Sequence, residues 1–316
     1  MEDAAPDGYE GNAQTFRILT KLAVRYGKEN PGLDLTRATL AATLKYPWLR
    51  DLSNDKRKKK WSAYESERAE FKWAREFCSE GYKSAEAELM DWADDIAYSV
   101  HDLEDFHRVG IIPWGEIIAE ASRERIVDGA VKAWRKDPNC PADAPARMKS
   151  ALERIKEHTA IFPAVTKEVY SGRREQRRQL RNFTSVLIGI YVRSVSLAPT
   201  LDGQAVIIGQ DAADEVRLLK YFARHYVISL PALHAQQYGQ KQIVRDLFRI
   251  FLENGKARNY KLFPDRLRYI WEDNPDDKPA RLAADCVASL TENEAYQLHG
   301  RLMGFQSGLV LDPIVR

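Results

Sequence analysis

Apolar residues recur at three- and four-residue intervals along most of this chain, and that rhythm predicts helix nearly throughout. Residues 12–26 place Phe16, Leu19, Leu22 and Ala23 on one face; residues 36–44 follow, and Pro47 breaks the pattern. Residues 64–80 read as a polar, peripheral helix. Residues 84–108 form a long central pattern, with Leu89, Trp92, Ile96, Ser99 and Leu103 along one stripe and Gly110 and Pro113 beyond its end. Residues 113–134 and 147–191 are further helical tracts, the second in two pieces about Pro163, with 138–145 as the linker between them. Helix resumes over 211–226, 239–254, 264–271 and 280–302, and residues 292–304 close on a helix-terminating glycine. One stretch breaks the rhythm. Within 192–208, Val195, Leu197, Leu201 and Val206 to Ile208 flank Pro199 and an Asp202-Gly203 turn signal, which predicts a β-hairpin. No repeat of fixed period is present. The predicted fold class is therefore mainly α, with a small β-hairpin dividing the chain into 1–195 and 196–316.

Composition narrows the class. The 316 residues are 44% hydrophobic and 30% charged, enough for one large or two modest cores. A net charge of +2 supplies no global field for nucleic acid. Cys78, Cys140 and Cys286 lie far apart, with neither metal-type spacing nor a disulfide framework, which fits a reducing cytoplasm. No apolar run reaches the ~18 residues of a membrane span, and the mean hydropathy is −0.48. The first seven residues are acidic and unlike a signal peptide; organised sequence begins abruptly at Gly8.

The chemistry concentrates in residues 90–105, where five aspartates, Glu104 and His101 share one predicted helix. Asp94, Tyr98 and Asp102 step by four and so stack on one face, over roughly 12 Å of axis. Such a row is either a solvated acidic face or the wall of a site for a metal and a hydroxylated, phosphorylated substrate; buried acids are costly unless paired or metal-bound. Arg173, Arg174, Arg177, Arg178 and Arg181 make a basic tract that reads as a solvated face or as an anion site for an effector nucleotide or single-stranded nucleic acid. Residues 55–60 are a basic loop. Residues 220–226 mix aromatic and basic side chains, either as a core face or with a base-stacking or phosphate role. No P-loop, GxGxxG or Ser–His–Asp order is present.

Four segments resemble one family, the HD-superfamily deoxynucleoside triphosphate triphosphohydrolases of the dGTPase-like type. Gly8-Tyr9-Glu10-Gly11-Asn12-Ala13-Gln14 is similar to the family's EGNAQ helix start. Leu35-Thr36-Arg37-Ala38-Thr39-Leu40 with Leu44-Lys45-Tyr46-Pro47-Trp48 resembles its LTRATL and KYPW segments. Residues 90–105 resemble its MDWADDIAYSVHDLED signature almost letter for letter, and residues 281–302 its C-terminal phosphohydrolase-associated region. The resemblance implies an HD-domain-like helical bundle, incomplete here, over 1–195, followed by a phosphohydrolase-associated helical domain over 196–316. It implies hydrolysis of a dNTP at the α-phosphorus to a deoxynucleoside and inorganic triphosphate, with a divalent metal such as Mg or Mn, in a homo-oligomer. By motif position, Asp94 is a metal ligand, Tyr98 and Asp102 line the sugar and phosphates, Lys45 and Tyr46 contact phosphate, and Asn12 is a pocket position. The family's first histidine, its His-Asp dyad and a catalytic histidine precede the EGNAQ segment. Here His101, His107, His158, His225, His234 and His299 all follow it, and His101-Asp102 falls within the VHD of the signature. No catalytic residue is therefore assigned within this chain. A start set too late, a separate upstream chain and a non-catalytic relative remain open; the alternative function is a helical nucleotide-sensing or oligomerisation module.

Overall fold

The computed structural model describes residues 7–25, 32–199, 203–274 and 278–308. In chain order the helices are α1 (Gly11–Arg17), α2 (Arg37–Ala42), α3 (Arg68–Ala74), α4 (Ala85–Arg108), α5 (Trp114–Ile117), α6 (Arg123–Trp134), α7 (Ala144–Ala160), α8 (Pro163–Thr166) and α9 (Arg174–Arg193). Strands β1 (Val195–Leu197) and β2 (Val206–Ile208) precede α10 (Gln210–Phe222), α11 (Pro231–Lys256), α12 (Tyr269–Glu272), α13 (Pro279–Ala288) and α14 (Glu292–Leu302). The fold is mainly α, as the apolar rhythm predicts. Its contacts gather into two compact units, one of residues 88–234 and one of 1–87 together with 235–316. No helix among the described residues is long and apolar enough to cross a membrane.

The 88–234 unit is built around α7, whose Met148, Ala151, Leu152 and Ile155 are buried between α6 and α10. Its polar edge is tied down as well. Arg147 donates to both carboxylate oxygens of Asp214 at 2.8 and 2.7 Å, while Arg154 Nε donates to Glu215 at 2.6 Å. The buried Tyr191 hydroxyl donates to the other oxygen of Glu215 at 3.1 Å. On α4 the stripe Trp92, Ile96, Ser99 and Leu103 is buried as predicted, and the Trp92 indole N–H donates to the Tyr191 carbonyl. Leu89 is not part of that stripe: it is 41% exposed, and Val100 is buried instead. In the first turns of α4 the anchoring is polar, with the Val206 N–H donating to Glu88 at 2.7 Å. The hairpin pairs Val195 with Ile208, Ser196 with Ile207 and Leu197 with Val206. Of its expected turn, Leu201 and Asp202 lie outside the described residues, and Gly203 takes φ +103°. The 147–191 tract forms three helices rather than two, because Gly172 at φ +73° separates α8 from α9.

In the other unit, Glu10 caps α1 by accepting from the Asn12 and Ala13 backbone N–H groups. The helix expected over 12–26 is shorter. After Arg17 the turns widen, the Ala23 N–H reaches back five residues to Ile18, and Ala23 is extended; Tyr26 lies outside the described residues. The 64–80 segment is not peripheral. Tyr64 is buried, and Phe71 and Ala74, three apart on α3, close a core with Phe16, Leu40 and Leu44. Most of its polar residues occupy the outer face, whereas Glu67 is buried beside Arg17. Helix α11 starts eight residues before the pattern suggests, and residues 280–302 split into α13 and α14, the latter opened by a Thr291–Glu294 capping box. Gly304 at φ +76° follows the end of α14.

The two sequence-distant halves of this unit are locked by buried charge. Arg17 donates to Asp285 at 2.9 Å and to Glu67 at 2.8 Å, and Gln14 donates to the second oxygen of Asp285 at 2.7 Å. The Arg281 guanidinium lies 3.4 Å from the Tyr64 ring centroid and donates to the Gly8 carbonyl at 2.7 Å. Within the 235–316 half a close contact is steric. A Cβ on Gly255 of α11 would lie 2.0 Å from Cη2 of the buried Trp271. Gly255→Ala is expected to lose about 1–3 kcal/mol, although alanine is the better helix former; a thermal melt unchanged or raised would contradict this.

Candidate functional site

Within the 88–234 unit, α4, α6 and α10 enclose a cavity of about 410 Å³. Helix α4 contributes Tyr98, Ser99 and Asp102; α6 contributes Ala130, Ala133 and Trp134. Arg217, Lys220 and Tyr221 come from α10, and Arg224 from the widened turns that follow it. Tyr98 and Asp102 share a face because they are four residues apart. Arg217, Lys220 and Arg224 share a face because they sit at i, i+3 and i+7. The ring of Tyr98 is 61% exposed, so it is available as a wall rather than absorbed into the core.

The cavity is electropositive. Lys220 forms an ion pair with Asp95. The Arg217 guanidinium is held by an aromatic face instead, 4.1 Å from the Trp134 ring centroid, with Arg147 4.9 Å from the same ring. Neither Arg217 nor Arg224 has a carboxylate partner among the described residues, so their charge is available to an anion. Asp102 is the one acid lining the cavity; partial burial, then the charge of Asp105, pushes its carboxyl above the ordinary range, with His101 opposing.

In the other unit a second group of expected residues is brought together. The Asn12 side chain and the Lys60 ammonium both donate to Oε1 of the buried Glu10, each at 3.0 Å. The hydrogen bond to Glu10 raises the affinity of Lys60 for its proton, opposed by partial burial and by the nearby Lys45 ammonium. The Tyr46 N–H donates to Ser62 Oγ at 2.9 Å, and the Tyr46 and Trp48 rings lie 5.8 Å apart. Asn12, Lys45 and Tyr46 thus belong to one unit, and Asp94, Tyr98 and Asp102 to the other.

Asp94 is half-buried, one turn before Tyr98, and is not among the residues lining the cavity. Among the described residues no three His, Cys, Asp or Glu side chains are grouped as a metal ion would need. These residues therefore do not by themselves fit a metal centre, and no chemical step is assigned to one. The five arginines of the basic tract are all exposed, Arg173 just before α9 and the other four on it; Arg178 is paired with Glu175, and none of the five lines the cavity. Arg217 and Trp134 are among the lining residues that the sequence did not single out. The spacing of Arg217 to Lys220 and Arg224 was a usable signal, whereas Trp134 reads simply as the last apolar position of its helix.

A mainly α scaffold carrying a cation-lined cavity beside an acid-rich helix suits a protein that handles phosphorylated ligands. Comparison with known proteins agrees. Residues 206–301, from β2 into α14, match the phosphohydrolase-associated domain. Over 311 residues the chain is 32% identical to the deoxyguanosinetriphosphate triphosphohydrolase-like protein of Streptomyces coelicolor, covering 94% of this chain and 70% of that protein. The protein of the same name from Bifidobacterium longum is 32% identical over 93% of this chain and 63% of its own length. That from Vibrio vulnificus is 29% identical over 93% and 69%. The chain therefore belongs to the deoxyguanosinetriphosphate triphosphohydrolase-like family of phosphohydrolases, and it spans roughly two thirds of the length of these relatives.

Proposed function

We propose that this chain binds a deoxynucleoside triphosphate, with the phosphates on Arg217, Lys220 and Arg224 and the nucleoside against the rings of Tyr98 and Tyr221. We propose further that it serves hydrolysis of that ligand to a deoxynucleoside and inorganic triphosphate. The observation that carries the reading is a pair of guanidinium groups without carboxylate partners among the described residues, opening on one cavity with Tyr98 and Asp102. Guanidinium–phosphate contacts are charge-assisted and geometrically defined, so a polyanion is the ligand such a wall favours. A volume near 410 Å³ falls in the usual range for small-ligand pockets. Lys45, with Lys60 beside Glu10, is a second cationic group for which we propose phosphate contact, and Asn12 and Tyr46 support it. Asp94 is proposed to offer one carboxylate to a divalent metal; further donors would have to complete that site.

The test is a calorimetric titration of the chain with a dNTP panel, followed by assay of triphosphate release in Mg²⁺ or Mn²⁺. Binding with release establishes the reading. Binding without release leaves a nucleotide-sensing module, and no binding at millimolar dNTP removes the proposal. The pH dependence has a defined sign. An anion bound beside Asp102 favours the protonated carboxyl, so affinity should strengthen as pH falls through the raised Asp102 value. Asp102→Asn should remove that part of the pH dependence; a profile identical in both proteins would refute the placement.

A further inference from the structure

We infer that Gly129 is a specificity-determining position: it recesses the wall of α6 so that the Tyr221 ring can lie against that helix and leave the cavity open for the nucleoside. This rests on the proposed placement of the ligand. Gly129 sits in the interior of α6, where glycine is less favourable than alanine by about 0.5–1 kcal/mol, so something other than helix stability keeps the position small. The Tyr221 hydroxyl oxygen lies 2.0 Å, and its Cζ 2.9 Å, from where a Cβ at residue 129 would be. Real Cβ atoms do not approach that closely, so any other residue would drive the ring away from α6. Tyr221 lines the cavity, and the next turn of α6 supplies Ala130 and Ala133 to the same wall. The face of the ring stacks on His225, 5.5 Å between centroids at 22°. The ring tip therefore rests in a notch on α6 and the ring face on an imidazole, and a tip pushed out of the notch moves a ring that already lines the cavity.

The experiment measures dissociation constants for a dNTP and for inorganic triphosphate on the full chain and on Gly129→Ala, Tyr221→Ala and the double variant. Gly129→Ala is expected to weaken dNTP binding at least tenfold while changing inorganic triphosphate binding less than threefold, because the displaced ring meets the nucleoside and not the phosphates. In the Tyr221→Ala background the alanine at 129 should have no effect on dNTP affinity and should not lower the melting temperature. Equal losses for both ligands, unchanged dNTP binding in Gly129→Ala, or a loss that persists in the double variant would each overturn the inference. Should Gly129→Ala fail to fold, the double variant decides: folded with the affinity of Tyr221→Ala supports the inference, and unfolded overturns it. If the unmodified chain binds neither ligand, the proposed function fails first, and that outcome is distinct from all the others.

Discussion

Arg17→Met is expected to cost about 3–5 kcal/mol of stability, the range for removing one partner of a buried ion pair. Arg17 is 2% exposed, and both of its acid partners, Glu67 and Asp285, are fully buried. Without the guanidinium, two carboxylates share a low-dielectric site, with Ser66 beside Glu67 and with Gln14 and the more distant charge of Arg281 beside Asp285. Burial already pushes Glu67 and Asp285 above the ordinary carboxylate range, and Arg17 is the main opposing influence. In the variant both carboxyls rise further and take up protons on folding. A carboxyl whose folded value is raised stabilises the fold below its unfolded value, and that contribution is lost as pH climbs to the folded one. The deficit in Arg17→Met should therefore widen from pH 5 to pH 8. Denaturant unfolding at the two pH values measures this, and a loss under 1 kcal/mol at pH 8 would contradict the account. Replacing all three charged residues by apolar ones of similar volume should be milder than the single change, because no charge is then left buried.

The second large effect concerns the ligand. Arg217→Ala with Arg224→Ala is expected to reduce dNTP affinity by about 10²- to 10⁴-fold, taking 1.5–3 kcal/mol for each charge-assisted contact. Both side chains are exposed, and neither has an ion pair to lose among the described residues, so the double variant should melt close to the unmodified chain. Arg147→Ala separates the two roles. It removes a bidentate contact to the buried Asp214 and should lower stability as well as loosen Trp134 beneath Arg217. Dissociation constants and melting temperatures for the two variants decide the matter. Affinity within threefold of the unmodified chain in the double variant would place the polyanion elsewhere.

Much of this was legible in the chain. The three-and-four rhythm located α4, α6, α9 and α10, because amphipathic helices must present an apolar stripe wherever they pack. The hairpin registered through its valines and isoleucines. The i, i+4 step of Tyr98 and Asp102 showed that they share a face, and the family signature supplied their significance. The failures have local causes. A polar outer face disguised α3, whose Phe71 and Ala74 are the only contacts it needs to enter the core. The wide turns after Arg17 and after Phe222 follow no apolar period. Residues 220–226 read as a core face or as phosphate contacts; Phe222 is buried, while Lys220 and Arg224 line the cavity.

Sequence alone determined the elements, the family and the side chains that share a helical face, since these depend on intervals of three and four residues within one segment. Only the tertiary structure decided that α6 and α10 meet α4 around Tyr98 and Asp102, that Trp134 carries an arginine, and that residues near both ends of the chain belong to one unit through Arg17 and Asp285. The physical reason is that packing is chosen by the fit of whole faces and by the burial of paired charges. Partners such as Gln14 and Asp285, 271 positions apart, leave no periodic trace of each other in the chain.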